Sequence, residues 1–312
     1  MSGTGRPGSA RKAYICLIVA ATAILALTAR HLVSGAAAPP AGGLFPSLVN
    51  ERVMIISPHP DDESLACAGV IQRAVREAEA VKVVWVNDGD ANPTAARLFS
   101  LGRKPDAAAY RRLGDLRHRE VVQAAADLGL TKTSLVFLCY PDGATNSLWR
   151  RDRVRIHRGA NGRTTVQNNG HAWHPGAPYT GLSLERDLTS VVKDFRPTVV
   201  IYPDPTDVHH DHWATALFTG EILHGLSYSG ASFTYITHHG YGWPWPPWFD
   251  PGGSIIVPEN DTGSRRPLTL NLPGADEARK LRALSRFQSQ GGLLAPSINS
   301  FVRVNEVFYA KL

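Results

Sequence analysis

The chain has 312 residues, 43% of them hydrophobic, and its 33 Lys/Arg and 27 Asp/Glu give a formal charge of +6. Residues 1–50 hold four basic residues and no acidic one, which leaves about +2 for the rest, too little to indicate a nucleic-acid-binding protein. The three cysteines, Cys16, Cys67 and Cys139, are widely spaced, which excludes a disulfide framework and a thiolate metal site.

The N-terminal region predicts a membrane segment. A basic flank, residues 1–12, precedes an uncharged apolar stretch that ends at Arg30 and His31. Its length lies at the lower limit for a spanning helix and above an ordinary signal-peptide core. We therefore predict a signal anchor or a cleaved signal peptide at 13–31 and a Pro/Gly/Ala-rich linker at 32–46. Because the flank is basic, the part of the chain after the linker is expected to be membrane-anchored and extracytoplasmic, or secreted if the signal is cleaved.

Residues 47–312 are sufficient for one large domain, and they alternate apolar runs with helical patterns. This alternation implies βαβ units and an α/β fold: a Rossmann-like, mostly parallel sheet with helices on both faces, in a single catalytic domain after the N-terminal membrane segment. The predicted strands are 53–57, 82–87, 134–139, 198–202 and 232–237, and the predicted helices are 64–80, 111–127, 185–195 and 212–224. A hairpin of 255–257 with 268–270, a helix at 275–287 and a strand at 302–309 complete the prediction.

The segment Ser57–Glu63, with the sequence SPHPDDE, directly follows the apolar run Val53–Ile56. Its two prolines restrict the backbone, so the turn is stiff and His59 is held above the end of the strand. The acidic residues Asp61–Glu63 open the next helix, and acidic residues in a first turn favour helix formation by themselves. That structural explanation does not account for the histidine upstream.

A second cluster, Asp207–His212 with the sequence DVHHDH, follows the apolar run Thr198–Tyr202. Three imidazoles in four residues make a poor core and a poor helix, whereas imidazole and carboxylate groups are ordinary zinc ligands. The carboxyl ends of parallel strands converge on one crevice, so the two clusters are expected to form one metal site. Three protein ligands with an open position are typical of catalytic zinc, and the pattern therefore predicts a metal-dependent hydrolase.

With these segments the chain resembles the PIG-L/LmbE-like family of zinc-dependent de-N-acetylases, which includes the GlcNAc-phosphatidylinositol, mycothiol-pathway and bacillithiol-pathway deacetylases. The family signature Pro-His-Pro-Asp-Asp-Glu is complete at Pro58–Glu63. The second signature, His-Pro-Asp-His, appears at His209–His212 with His210 in place of proline. Lesser matches extend the resemblance over residues 50 to 292, and they are Arg117–Glu120, Leu128-Gly129, Tyr140–Gly143, Lys280, Ala283-Leu284 and Ser289-Gln290.

The resemblance implies a Zn²⁺ cofactor and a metal-binding role for three residues. His59, Asp62 and His212 match the zinc ligands. Asp61 matches the general base that takes a proton from the metal-bound water. Because zinc lowers the pKa of bound water, an adjacent carboxylate that does not bind the metal is chemically useful.

Four further residues match positions that act on the substrate. His209 matches the residue that stabilises the tetrahedral oxyanion and protonates the leaving amine. Asp211 matches the partner that orients and charges this histidine. Arg117 and Asp142 match positions that contact the sugar.

The implied activity is removal of the N-acetyl group from an N-acetylglucosamine-like sugar in a glycoconjugate, that is, a zinc-dependent N-acetylglucosaminyl deacetylase. A noncatalytic glycan-binding relative, a zinc amidase with another acylated substrate and a metal-dependent phosphoesterase are the alternatives. The presence of Asp61 favours an enzyme, because a binding protein does not need this base. The expected partners are an N-acetylated amino-sugar glycoconjugate and, through residues 13–31, the membrane; no nucleic acid is expected.

Other polar residues are predicted near the same edge of the sheet. Asn87–Asp90 follows a predicted strand and is either a turn or a contact to sugar hydroxyls. His238 and His239 end another strand, where a direct role is the alternative to a structural one. His171 and His174 lie in a polar insertion and are expected on the surface or at the substrate rim rather than as ligands.

The segment Tyr241–Phe249 contains three tryptophans and three prolines. Its prolines exclude a regular helix or a central strand, so it is predicted to be a loop. The rings either pack the loop onto the domain or form an apolar platform beside the zinc site for sugar faces, an aromatic aglycone or a lipid-linked acceptor.

Overall fold

A single eight-stranded sheet forms the centre of the protein. The computed structural model describes residues 43–240, 243–257, 267–292 and 295–310. The strands are β1 Gly43–Leu44, β2 Arg52–Ser57, β3 Ala80–Asn87, β4 Leu135–Tyr140, β5 Val199–Pro203, β6 Ala231–Tyr235, β7 Pro267–Asn271 and β8 Asn305–Ala310. The α-helices are α1 Asp62–Ala66, α2 Ala68–Glu77, α3 Pro93–Ala96, α4 Ala107–Asp127, α5 Thr145–Arg150, α6 Gly181–Phe195, α7 His210–Gly225, α8 Gly274–Ser285 and α9 Pro296–Asn299. Short 3-10 helices occupy Arg97–Phe99, Lys132–Ser134 and Gln288–Gln290.

The strand order is β1-β7-β8-β6-β5-β2-β3-β4. Strand β8 runs antiparallel to β6 and β7, and the other neighbouring pairs are parallel. The fold is therefore α/β with one mostly parallel sheet. The five strands predicted in the alternating region are all present, with ends displaced by at most two residues.

The order in which the chain adds strands to the sheet reverses between β2 and β5, although these two strands are parallel. From β2 the chain builds outward through β3 to β4, and from β5 it builds outward the other way to β6. Because such crossovers are right-handed, α2 and α4 lie on one face of the sheet and α6 and α7 lie on the other. Helix packing follows this division, since α2 and α4 both contact α8, whereas α5 and α6 both contact α7. The reversal opens a crevice at the carboxyl ends of β2 and β5, where ligands bind in folds of this kind.

The predicted helix 64–80 is in fact two helices separated at Cys67. Glu306 on β8 determines the break, because its carboxylate accepts hydrogen bonds from the amides of Gly69 (2.8 Å) and Val70 (3.1 Å) in the first turn of α2. The Lys280 ammonium contacts the same carboxylate at 2.9 Å, and both side chains are buried. A distant carboxylate thus caps a helix whose start the local sequence does not mark.

The predicted hairpin of 255–257 with 268–270 is wrong. Residues 255–257 are irregular, and β7 pairs instead with β8 and β1. The Ile255 amide donates to Oδ1 of Asn305 (2.6 Å), so this segment is held by a side chain rather than by a strand ladder. Phe45, in the predicted linker, is buried, and its ring centroid lies 4.8 Å from that of Phe233 and 4.7 Å from that of Phe308.

The described residues belong to one compact unit, residues 41–312. The predicted membrane segment, residues 13–31, lies outside the described residues. Within the part that the structure describes, no helix combines the length and the apolar character that crossing a membrane requires.

Candidate active site

Two segments at the β2/β5 crevice bring three ligand-type side chains together. His59 lies in the turn after β2, Asp62 is the first residue of α1, and His212 is in the first turn of α7. Nδ1 of His59 lies 3.1 Å from Nε2 of His212 and 3.1 Å from Oδ2 of Asp62, and Nε2 of His212 lies 3.0 Å from Oδ2 of Asp62. These three atoms form a triangle of possible metal ligands. All three residues are buried.

This donor set fits a zinc ion. Two imidazole nitrogens and one carboxylate oxygen are zinc ligands, and tetrahedral coordination at ordinary bond lengths places ligand atoms about 3.3 Å apart. The local field also favours a cation. Burial alone would lower the pKa of His212, but Asp62 and Asp207 outweigh it and raise this pKa to about 9. Burial has the same effect on His59, and hydrogen bonds to Asp142, Asp211 and Asp62 nonetheless raise its pKa well above the ordinary value.

Carboxylates also hold the far side of each imidazole. Nδ1 of His212 lies 3.2 Å from Oδ2 of Asp207 and 2.9 Å from Oγ1 of Thr237. Nε2 of His59 lies 3.2 Å from Oδ1 of Asp142 and 3.5 Å from Oδ2 of Asp211. Carboxylates in this position fix the ring orientation and the tautomer of a metal-binding histidine.

Asp207 is a residue that the sequence interpretation did not assign. Its Oδ1 accepts from the His209 amide (2.9 Å), and its Oδ2 accepts from the Thr237 and His238 amides (both 3.0 Å). It therefore joins the turn before α7 to the segment after β6, with His212 between them. The position of Asp207 at the start of the second cluster was the one available sequence signal.

Asp61 lies beside the ligand triangle, and its carboxylate points toward Arg117. Its φ of 152° is a backbone conformation that non-glycine residues rarely adopt, and such strain is concentrated at functional sites. Oδ2 of Asp61 accepts from Nη2 of Arg117 at 2.8 Å. Burial raises the pKa of Asp61 to about 6, although the Arg117 charge opposes this shift. A carboxylate with a pKa near neutral is suited to accept a proton.

Arg117 is fixed by three contacts. Besides Asp61 it donates to the carbonyls of Gly89 (3.0 Å) and Pro60 (2.6 Å), and it is buried. Gly89 has a φ of +62°, and a Cβ at this position would overlap the guanidinium of Arg117. Glycine is therefore required here by both the backbone conformation and the close approach of the guanidinium.

His209 is the N-cap of α7, and its Nδ1 accepts from the Asp211 amide at 3.3 Å. Its proton must then be on Nε2. Burial and the positive field of His59, His212 and His238 lower the pKa of His209 to about 4. The neutral ring is therefore the stable form, in contrast to the cation expected from the family role.

The Asp211 carboxylate does not take the orientation expected of it. Its Oδ2 accepts from the Gly143 amide (2.8 Å) and faces His59, so only its backbone amide contacts the His209 ring. Oδ1 of Asp211 is buried without a hydrogen-bond partner among the described residues. His210, which replaces the family proline, is the first residue of α7, where proline is common but other residues are also accommodated.

A cavity of about 660 Å³ opens onto these residues. Arg117 and Asp142, the expected sugar contacts, line it, but both are engaged with site residues: Arg117 with Asp61, and Asp142 with His59. Burial favours a raised pKa for Asp142, but His59 and Arg117 outweigh it and hold the pKa well below the usual range. The cavity is also lined by His209, Thr237, His238, His239, Ala91, Asn92 and Gly143, and by the apolar residues Leu65, Trp243, Ile298 and Phe301.

The remaining candidate residues divide between the site and the periphery. His238 lies in the cavity wall, 3.1 Å from Oγ1 of Thr237. His171 stacks on His118 with ring centroids 3.5 Å apart, and His174 contacts Asp187 at 2.9 Å; neither histidine lines the cavity. In the segment Tyr241–Phe249, called the aromatic loop from here on, Trp243 lines the cavity and donates to the carbonyl of Ile236 (3.0 Å).

Asn87–Asp90 forms a turn in which Asn87 Oδ1 accepts from the Gly89 amide (2.9 Å). Further along the aromatic loop, Trp245, Trp248 and Phe249 are exposed, and Arg303 holds this part by donating to the carbonyls of Pro246 and Trp248. Tyr241 lies outside the described residues.

The comparisons with known proteins agree with the fold. The sequence model of PIG-L, the GlcNAc-PI de-N-acetylase family, matches residues 54–223, more than half of the chain. The chain therefore belongs to this family. No curated protein matches the sequence significantly.

Solved structures share the fold at low identity. The A40926 pseudoaglycone deacetylase Dbv21 has a TM-score of 0.53 and 18% identity, over 84% of this chain and 97% of that chain. A triple mutant of the deacetylase of the teicoplanin biosynthetic pathway gives 0.51 and 19%, over 83% and 97%. The zinc-inhibited form of the teicoplanin deacetylase Orf2 also gives 0.51 and 19%, over 83% and 97%. At such identities the likeness concerns the fold alone.

Proposed function

We propose that the protein is a zinc-dependent deacetylase that removes the N-acetyl group from an N-acetylglucosamine-like sugar of a glycoconjugate. The observation that carries the proposal is the triangle of His59, Asp62 and His212 with the non-ligand carboxylate of Asp61 beside it. Family membership supports it, and so do the related structures, which are those of deacetylases. One of these deacetylases, Orf2, was solved in a zinc-inhibited form, so zinc acts on that protein.

In this proposal His59, Asp62 and His212 hold the metal, which would polarise the amide carbonyl and make water more acidic when bound. Asp61 takes a proton from the attacking water. Arg117 donates to Oδ2 of Asp61, which leaves Oδ1 available to accept that proton. Arg117 also stabilises the carboxylate, so that the base is ionised at neutral pH.

His209 is proposed to stabilise the developing oxyanion as a neutral donor. Because Nδ1 accepts from the Asp211 amide, the N–H of Nε2 is available for a hydrogen bond into the cavity. A neutral imidazole can supply this interaction without first being protonated. Asp211 and Asp142 then act by holding His59, rather than by charging His209 or binding the sugar directly.

The test is a mass-spectrometric screen of N-acetylated amino-sugar substrates for loss of an acetyl group. The full chain should deacetylate at least one of them, a chelator should abolish the reaction, and added zinc should restore it. Asp61→Asn serves as the inactive control. Tight substrate binding without any acetyl loss would instead identify a noncatalytic glycan-binding protein.

We also propose, from the sequence, that the catalytic domain is extracytoplasmic and is attached through residues 13–31. A C-terminal reporter that works only after export should be active, and a reporter that works only in the cytoplasm should be silent. The reverse pattern would refute this topology. Release of the protein into the medium would identify residues 13–31 as a cleaved signal peptide.

A further inference from the structure

A second group of metal-binding side chains lies outside the cavity. Asp88 follows β3, Cys139 is in β4, and His171 lies in the insertion between α5 and α6. One ligand-type atom from each residue lies within 4.8 Å of the other two. None of the three is among the described residues that line the cavity. Three segments that are distant in sequence thus bring a carboxylate, a thiol and an imidazole together, at a place that the proposed function does not use.

His171 presents an unprotonated ring nitrogen within this group. The neighbouring Asn169 side chain is oriented by its Oδ1, which accepts from the amides of His171 (3.2 Å) and Ala172 (3.0 Å). Its Nδ2 is therefore the donor to Nε2 of His171 (2.7 Å), so this ring nitrogen carries a lone pair. The same Nδ2 lies 3.8 Å from Sγ of Cys139. A partly positive NH₂ group thus contacts both the nitrogen and the sulfur, as a bound cation would.

The His171 ring is kept neutral, which metal binding requires. Burial lowers the pKa of His171, although the charge of Asp115 opposes this shift. The ring stacks on His118 with centroids 3.5 Å apart and planes 13° apart. Burial and the His171 charge lower the pKa of His118 to about 4. Two stacked imidazoles at this distance do not both become cations, so the stack favours the neutral form of each.

Asp88 and Cys139 are two acidic groups joined by a side-chain hydrogen bond. Burial raises the pKa of Asp88 to about 6, against the effects of this hydrogen bond and of the Arg163 charge. Burial also raises the pKa of the Cys139 thiol well above its usual value, and the Asp88 charge adds to the shift. Both groups can be ionised together only when a further positive charge lies between them, and a metal ion deprotonates a thiol that coordinates it.

The donor set determines the class of metal. Thiolate, imidazole and carboxylate groups all bind zinc, and the soft thiolate selects against magnesium and calcium. Tetrahedral coordination at ordinary zinc bond lengths places ligand atoms about 3.3–3.6 Å apart, so these atoms would have to approach by at most about 1.5 Å. The wide spacing of the cysteines excludes a site of several thiolates, but it does not bear on a single thiolate that the fold places beside other ligands.

We infer that Asp88, Cys139 and His171, called the thiolate site from here on, bind a thiophilic divalent cation such as zinc or cobalt. Binding releases the thiol proton to solvent and replaces the contacts of Asn169 Nδ2. The thiolate site should fill after the proposed catalytic site, because a buried thiol must first be deprotonated. The chain purified without added metal therefore holds about one zinc ion, and the second binds when metal is added. A cation here would tie the insertion to the ends of β3 and β4. The inference does not depend on the proposed function.

The experiment titrates the reduced, metal-free full chain with Co²⁺ and follows the charge-transfer absorption of a cobalt–thiolate bond. The proposed catalytic ligands contain no sulfur and cannot give this band. The band should therefore appear after about one ion per chain has bound and reach its maximum at about two, and zinc should displace the cobalt. Cys139→Gly should abolish the band. This variant is expected to fold, because the φ of 57° at Cys139 favours glycine.

Cys67→Ala is the matched control, because Cys67 is also a buried free cysteine but belongs to no group of possible metal ligands in the described part of the chain. Cys67→Ala and Cys16→Ser should both keep the band. Asp88→Asn and His171→Ala should each weaken the cobalt affinity read from the band by at least about tenfold. These two variants decide the question if Cys139→Gly does not fold. In His59→Ala the band should appear with the first ion that is added.

Absence of the band at millimolar cobalt would overturn the inference. A band that disappears in Cys67→Ala or Cys16→Ser and persists in Cys139→Gly would also overturn it, since another cysteine would then be the ligand. Unchanged cobalt affinity in both Asp88→Asn and His171→Ala would reduce the result to adventitious binding at a single thiol, which is not a built site.

Discussion

Replacing Asp207 by asparagine tests whether this carboxylate orients the proposed metal ligand His212. Asp207 accepts hydrogen bonds on both oxygens, from His209 on one and from Thr237 and His238 on the other. Asparagine has one acceptor oxygen, so in either orientation its NH₂ group faces an N–H donor. The carboxylate charge beside Nδ1 of His212 is lost as well.

The expected magnitude follows from these contacts. Partners of this kind change metal affinity by about 10- to 100-fold, which corresponds to about 1.4–2.7 kcal/mol. The exchange of several charge-assisted hydrogen bonds for fewer neutral ones should also lower the free energy of unfolding by about 2–4 kcal/mol. Because the two effects are different quantities, both must be measured.

Zinc affinity is measured on the full chain by competition with a chelator of known affinity, and stability is measured by denaturant unfolding without metal. Asp187→Asn is the control, because Asp187 is a buried carboxylate that contacts His174 (2.9 Å) and the hydroxyl of Tyr140 (2.7 Å) away from the cavity. It should lose stability and keep wild-type zinc affinity. Unchanged zinc affinity in Asp207→Asn would refute the orienting role, and an equal loss in both variants would reduce the effect to general destabilisation.

Three further outcomes are expected. The full chain should bind about one zinc ion, and alanine at any of the proposed ligands should remove most of it, as measured by elemental analysis; wild-type zinc content in all of these variants (His59→Ala, Asp62→Ala, His212→Ala) would contradict the site. Asp61→Asn should retain the metal while its turnover falls by about 10²–10⁴-fold, and a normal rate would contradict its role as the base. Glu306→Gln should lower the free energy of unfolding by about 3–5 kcal/mol, because buried Lys280 loses its counterion. Asp127→Asn, which removes the more exposed ion pair with Arg286, should have a much smaller effect on the same unfolding curve.

The parts of the fold that were predicted correctly have local signals. The five apolar runs are β-type and contiguous, so their strands were placed to within two residues. The two His/Asp clusters follow two of these runs, and the convergence of parallel strand ends brings His59, Asp62 and His212 together. Helix starts were less accurate: α4 begins four residues before the predicted start, after the N-cap Asp106, whose carboxylate accepts from the Ala109 amide (2.8 Å).

The features that were missed depend on residues distant in sequence. The break between α1 and α2 falls at Cys67, where no proline and no local capping side chain marks it, and the carboxylate that caps α2 is that of Glu306 on the last strand. The irregular segment 255–257 has a strand-like composition, but Asn305 occupies the amide and the carbonyl of Ile255, and the Ile256 amide donates to the carbonyl of Trp245. The family resemblance paired the Asp211 carboxylate with His209, whereas the fold turns this carboxylate toward His59. Sequence proximity does not determine side-chain direction at a helix N-terminus.

Two consecutive aspartates can have different roles only if the backbone separates their directions. The unusual φ of Asp61 turns its side chain to Arg117, while Asp62 faces the two histidines. This conformation costs about 1–3 kcal/mol, and Arg117 offsets the cost by binding both the Asp61 carboxylate and the Pro60 carbonyl. Arg117 can lie there only because residue 89 has no Cβ. The separation of the proposed base from the proposed ligand therefore depends on Gly89, well beyond the signature in the chain, as much as on the signature itself.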